Sequence, residues 1–260
     1  MRRQARITQM VVDHIRKPLA ELRVLDLASL DGRFSAEFAM RGAEVLGIEG
    51  RRSNVEDARS RFEYPNLRFV QDDVRNLCKQ KYGEFDVVLC LGILYHLDAP
   101  DCFKLLEAIA EVCSCVAIID THISLRRDEI VTYNGHQYAG WKYTEYNREP
   151  DPQQTEERRW ASIRNLQSFW PTKPSLVNAI ADAGFNSVYE CQYPAWNDMP
   201  ADRVALAALK GKKTGILTTN LDPEILNERI DETPRIVPVQ NQQNLTSVMT
   251  RRIARFLGRD

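Results

Sequence analysis

The stretch VLDLASLDGRFSAEFAMRGAEVLGIEGR, residues 24–51, decides the fold. Its first apolar run ends in a tight loop at Gly32. A helical stretch, Phe34–Arg41, follows, and a second apolar run, Glu44–Glu49, closes on an acid. Strand, loop, helix and strand in this order make a βαβ unit. In open parallel sheets ligands bind beyond the carboxyl ends of the strands, so the 26–32 loop and Glu49 face one crevice. Glu49 follows Asp26 by 23 residues, close to the roughly 20-residue offset at which an acid takes a ribose diol in such units.

Working outward, the same alternation runs from about residue 22 to residue 121. Further strands are predicted at Leu22–Leu27, Leu67–Val70, Phe85–Leu91 and Val116–Asp120, with amphipathic helices at Val55–Phe62 and Cys102–Val112. A helix at Ser175–Ala183, ending at Gly184, and strands at Asn186–Cys191 and Arg203–Leu209 complete the pattern. The expected fold is α/β: a Rossmann-like, doubly wound, seven-stranded sheet with helices on both faces. Residues 1–20 read as an N-terminal helix and 21–210 as the catalytic-type domain. Residues 122–171 hold eight of the chain's 22 aromatics without strand periodicity, and read as an irregular lid. Residues 211–260 read as a linker and a C-terminal amphipathic helix (Met249, Ile253, Phe256, Leu257) able to dock on the body, a partner or a second copy in a homodimer.

Composition narrows the partners. Lys+Arg total 35 against 36 Asp+Glu, and the 122–171 segment balances seven bases with seven acids, so a polynucleotide is not the expected partner. No run approaches the ~18 apolar residues of a membrane span, and the N-terminus lacks the apolar stretch of a signal peptide. The expectation is a cytoplasmic protein with no membrane contact. The six cysteines form no CxxC pair, so neither a zinc site nor a disulfide framework is expected.

The loop chemistry selects the ligand. A pyrophosphate needs a G-x-G-x-x-G turn for close backbone approach, whereas ASLDG has one glycine, a bulky Leu30 and an Asp31 that repels phosphate. A nucleoside with a cation and no phosphate suits it better, and S-adenosylmethionine fits that description. Together with VQDDVRNL (70–77) and FDVVLCLGILYHLDAP (85–100), the segment resembles the class I S-adenosylmethionine-dependent methyltransferases. Two glycines of that family's D/E-x-G-x-G-x-G pattern are replaced here by Ala28 and Leu30. The resemblance implies a cofactor seat of Asp26, Ala28, Ser29 and Leu30 in the loop, with Glu49 and Gly50 at the ribose. Asp73 and Val74 would take the adenine, and the Leu91–Gly92 backbone the methionine half. Asp72 reads as a solvated neighbour of Asp73.

On the acceptor side, a hydroxyl benefits from a general base as it meets the methyl group in line. His122, just past the fifth strand, ranks first, with Asp120 placed to orient its imidazole; His96 after the fourth strand is the alternative. His96 could equally be a packed, hydrogen-bonded imidazole, and Asp120 with His122 could hold a divalent cation. Without a third ligand in sequence, no metal is expected. Tyr95, His136, Tyr138, Trp141, Tyr143 and Trp170 are expected to shape the acceptor pocket. LGIL after the fourth strand lacks the (N/D)PP(Y/F) motif used on exocyclic amines, which leaves O-methylation of a small molecule, a sugar or specialised metabolite, as the leading expectation. LGILYH (91–96) and SFWPTKPSL (168–176) are also similar to the bacterial transferases that place methyl or carboxymethyl groups on the wobble uridine of transfer RNA. That group has a substantial N-terminal RNA-facing extension, whereas the core here is expected to begin near residue 20. It ranks second, and a non-catalytic cofactor-binding module is the reading from another class.

Overall fold

The computed structural model describes residues 2–159, 161–163, 165–191 and 200–211. In chain order, the first half runs α1 (Arg2–His14), β1 (Arg23–Leu27), α2 (Arg33–Ala39), β2 (Glu44–Glu49), α3 (Arg52–Arg61) and β3 (Leu67–Gln71). It continues through α4 (Lys79–Tyr82), β4 (Phe85–Leu91), α5 (Asp101–Val112) and β5 (Cys113–His122). The second half adds β6 (Glu129–Tyr133), β7 (His136–Thr144), α6 (Pro152–Glu157), β8 (Gln167–Pro171), α7 (Lys173–Asp182), β9 (Ser187–Glu190) and β10 (Arg203–Leu209). The main sheet has the order β3-β2-β1-β4-β5-β10-β9, parallel from β3 to β5, with β10 antiparallel to both its neighbours. This is the expected Rossmann-like sheet of seven strands.

The apolar runs explain the layering. On β4, Val87 and Leu89 pack with Ile7, Val11 and Phe38, while Val88 and Cys90 pack on the opposite face with Leu105, Ile109 and Leu176. A strand buried on both faces reads as a continuous apolar stretch, which is why β4 is legible as FDVVLCL. The chain leaves β1 toward β2 and returns as β4 on the other side of it. The carboxyl ends of β1 and β4 therefore border the topological switch point where open α/β sheets bind ligands.

Two expectations need correction. The 122–171 segment is not irregular: it forms a three-stranded antiparallel sheet, β6-β7-β8. Its hairpin turns at Asn134 (φ 49°) and Gly135 (φ 81°), both left-handed as a two-residue type I′ turn requires. The fifth strand also runs to His122, so this residue lies within a strand, paired across to Arg203, and not beyond its end. The linker and C-terminal helix expected over 211–260 lie, from residue 212 onward, outside the described residues.

Candidate active site

The loop that follows β1 is held by bonds within the protein. The amide of Ser29 donates to the Ile48 carbonyl (3.0 Å), that of Leu30 to Oε2 of Glu49 (2.9 Å) and that of Gly32 to the Ser29 carbonyl (2.9 Å). Ala28 (φ 52°) and Leu30 (φ 51°) adopt the left-handed region although neither is glycine. At Gly32 (φ 76°) a Cβ would lie 2.6 Å from the Phe69 ring, so only that position demands glycine sterically as well. Beneath the loop, buried Asp26 accepts from Ser35 Oγ at 2.6 Å. Burial pushes its carboxyl up to about 7, against the Ser35 hydrogen bonds and with a contribution from the like charge of Glu49.

A cavity of about 220 Å³ opens at the switch point. Ala28, Leu30, Glu49, Gly50, Asp73, Val74, Leu91 and Gly92, all expected at a cofactor seat, line this one cavity. Asp26 and Ser29 do not: both are buried below the loop, where they support its shape. Glu49, only 4% exposed, also accepts from the Arg51 amide (2.9 Å) and Asn54 Nδ2 (3.3 Å). Asp73 is clasped by Arg75, whose Nη2 lies 2.6 Å from Oδ2. Burial opposes ionisation of Asp73, but the Arg75 hydrogen bonds hold its carboxyl below the ordinary range. Asp72 is not the solvated neighbour expected from sequence. It binds Lys81, the Tyr82 hydroxyl and Asn76 Nδ2 (2.7 Å), and these bonds outweigh its burial to hold it well below the usual carboxylate range.

Arg51, 5% exposed, reaches from the end of β2 into the second half of the chain. Its Nε donates to the Thr155 carbonyl (2.8 Å), and Nη1 and Nη2 to the carbonyls of Arg159, Ala161 and Ser162. Arg159 returns the contact through Asn54 (2.8 Å) and Asp57 (2.9 Å). Cδ1 of Ile163 lies where a Cβ on Gly50 would stand, so Gly50 makes room for this segment.

A second cavity of about 440 Å³ adjoins the first, lined among others by Tyr95, His96, His122, Tyr143, Glu145 and Trp170. Tyr95 and His96 line both cavities. Nδ1 of His96 is 2.9 Å from Oε1 of Glu145, a carboxylate that also accepts from Ser168 Oγ (3.1 Å) and the Ser162 amide (3.3 Å). Burial works against the Glu145 charge, but these bonds, His96 first, keep its carboxyl below the ordinary value. Nε2 of His96 has no hydrogen bond among the described residues.

His122 has both ring nitrogens facing charged groups: Nδ1 lies 3.2 Å from Asp202 and Nε2 3.3 Å from Arg203 Nη1. Burial lowers its basicity; Asp202 opposes this and Arg203 adds to it. Asp120 does not orient His122. It is 1% exposed and sits between two guanidiniums, Arg203 Nε at 2.7 Å and Arg3 Nε at 3.1 Å. Among the aromatics, Trp170 is stacked between Tyr143 (4.9 Å) and His122 (5.1 Å), and its Nε1 donates to the Tyr95 carbonyl. Trp141 touches Trp170 edge-on at 5.8 Å but lines neither cavity. His136 and Tyr138 do not join this pocket. They border a separate small cavity by α5 and α7, where Tyr138 stacks on Phe103 and bonds Asp182. The reason is strand geometry: β7 runs toward the site, so its start, with His136 and Tyr138, lies at the far margin of the small sheet and its end, with Tyr143, reaches the second cavity.

Sequence reasoning missed Glu145, Arg3, Arg51 and Arg203. Arg203 could have been found from the register of an antiparallel β5–β10 pair, which sets it opposite His122. The dipeptide Asn134-Gly135 could have revealed the hairpin that brings Glu145 back. Arg3 and Arg51 carry no local signal. Among the described residues no group of three or more His, Cys, Asp or Glu is placed to hold a metal ion, and no helix is long and apolar enough to cross a membrane.

Comparison with known proteins bears on this arrangement. Residues 24–115 match the family described as methyltransferase domain. A ubiquinone biosynthesis O-methyltransferase of Psychrobacter cryohalolentis is 37% identical over 97 residues, a stretch covering 34% of this chain and 38% of that relative's length. The N-terminal domain of EvdMO1, solved in the presence of SAH and D-fucose, is 24% identical and superposes with a TM-score of 0.61 over 80% of each chain. Magnesium protoporphyrin IX methyltransferase from Synechocystis PCC 6803 with bound SAM is 16% identical, with a TM-score of 0.51 over 80% of this chain and 77% of that one. The fold is that of the class I methyltransferases.

Proposed function

We propose that the protein transfers a methyl group from S-adenosylmethionine to a hydroxyl of a small, ring-bearing acceptor. The observation that carries this reading is His96, which lines both cavities, has Nδ1 tied to Glu145 and leaves Nε2 open where they meet. A histidine held in one tautomer by a carboxylate is suited to take a hydroxyl proton.

The residues present suit the cofactor. The acids at one end, Glu49 and Asp73, accept hydrogen bonds and repel phosphate, which favours a ribose diol and an adenine amino group. The loop amides are spent inside the protein, so they do not cradle a pyrophosphate. At the other end, Nη2 of Arg3 is buried without a hydrogen-bond partner among the described residues, a donor suited to a carboxylate. When bound, the cofactor supplies an electrophilic methyl sulfonium. The chain's own part is to align the acceptor, exclude water and receive the proton at His96 Nε2. His122, whose Nε2 lies against Arg203 Nη1 and whose buried Nδ1 has no hydrogen-bond partner among the described residues, orders Trp170 and Arg203 in this reading.

A hydroxyl acceptor accords with two similar proteins: one is named an O-methyltransferase of ubiquinone biosynthesis, and the other was solved with D-fucose. The test is calorimetric titration with S-adenosylmethionine, S-adenosylhomocysteine and NAD, followed by methyl transfer to hydroxylated rings. Micromolar binding of the first two and none of NAD is expected. Binding of NAD alone would overturn the cofactor assignment.

A further inference from the structure

Charge is unbalanced where the two cavities meet. Arg3 and Arg203 both line the first cavity, and they share one buried carboxylate, Asp120. Of the other acids nearby, Asp73 is paired with Arg75, Glu49 bonds two amides and Asn54 at the loop after β1, and Asp202 faces His122 and not Arg203. A Cβ on Gly92 would lie 3.6 Å from the Tyr95 hydroxyl and 3.9 Å from Nη2 of Arg203, so these two groups converge over the same point of backbone. Arg203 also faces the second cavity's wall through His122. A guanidinium at this place repels a methyl sulfonium. The cofactor does not cancel the excess with its own carboxylate, because it also brings an ammonium and the sulfonium. An anion on the acceptor side would meet the Arg203 guanidinium beside the Tyr95 hydroxyl.

We propose, building on the function proposed above, that the acceptor is a hydroxy acid: a ring whose methylated hydroxyl has a carboxylate close by, recognised by Arg203 with the Tyr95 hydroxyl. The forked guanidinium matches a carboxylate in two-point geometry. Tyr95, Tyr143 and Trp170 supply aromatic wall for the ring, Trp170 being stacked with His122 and with Tyr143. Arg203 is thus a specificity residue, and His96 remains the base.

The experiment titrates benzoate and its neutral counterpart benzamide into protein saturated with S-adenosylhomocysteine, followed by calorimetry. Benzoate is expected to bind at least tenfold more tightly than benzamide. Arg203→Gln should bring the two within twofold, and Arg203→Lys, which keeps the charge beside Asp120, should retain part of the preference. Equal binding of the two probes, or an unchanged preference in Arg203→Gln, overturns the proposal. The competing source of the carboxylate is the cofactor. It is distinguished by comparing S-adenosylhomocysteine with 5′-methylthioadenosine, which lacks the amino-acid part: if Arg203→Gln abolishes the difference between those two, the subsite belongs to the cofactor and the acceptor assignment is wrong. Failure of S-adenosylhomocysteine to bind at all would instead refute the underlying function, and the benzoate titration of ligand-free protein would still report on the anion site.

Discussion

Nδ1 of His96 and Oε1 of Glu145 lie 2.9 Å apart, although 49 positions separate them in the chain. The contact joins the turn after β4 to the end of β7, and it fixes which imidazole nitrogen meets the second cavity. If His96 receives the acceptor proton, His96→Ala should lower the turnover number by about 10²–10⁴ at unchanged affinity for S-adenosylhomocysteine. Glu145→Gln should give a smaller loss of the same kind. Product formation and calorimetry on the same preparations check both, and a normal turnover number in His96→Ala rules out the base.

Glu49→Ala removes the acceptor proposed for the ribose. Affinity for S-adenosylhomocysteine should fall by roughly 1–3 kcal/mol, the cost of losing charged hydrogen-bond partners. An equal loss is expected for 5′-methylthioadenosine, because the ribose is common to both. A selective loss for one ligand would show that Glu49 acts elsewhere.

Asp26 makes stability depend on pH in a defined direction. Its folded carboxyl titrates at about 7 against an ordinary 3.8, so between these values the unfolded chain has lost a proton that the folded chain retains. Stability of the wild type therefore falls as pH rises through this window and is level, with respect to this group, above it. Asp26→Asn should lack that slope, and denaturant titrations from pH 5 to 8 compare the two. Parallel curves would contradict the assigned burial effect.

The loop torsions predict an asymmetry between substitutions. Ala28→Gly relieves a left-handed alanine at a cost of about 0.5–1 kcal/mol in chain entropy, so the variant should stay within about 1 kcal/mol of wild type, on the stable side. Gly32→Ala meets both a left-handed φ and the Phe69 ring, and should lose roughly 2–4 kcal/mol. Thermal melts measure both. A stabilised Gly32→Ala would refute the steric account.

The parallel half of the fold was legible because each βαβ turn leaves a local trace. Buried strands such as β4 read as unbroken apolar runs, and β2 closes on the acid that lines the cavity. Loop 26–32 was harder to read. Two glycines of the family pattern are replaced there, and Ala28 and Leu30 adopt left-handed angles that glycine takes more readily, while Glu49 anchors the Leu30 amide. The acceptor side was legible only in part. Its aromatics are visible in sequence, but which of them converge depends on the direction of β7, and so Tyr143 reaches the pocket while Tyr138 does not. Glu145 and Arg203 came from pairings between distant segments, which one-dimensional periodicity does not encode.

Arg51 has a consequence for traffic through the site. The carbonyls it gathers belong to residues 155–162, and Arg159 and Ala161 of that segment form wall in both cavities. A displacement of the segment large enough to free one compartment unseals the other as well. The two cavities therefore share one partition, and a single side chain two positions beyond Glu49 ties it down.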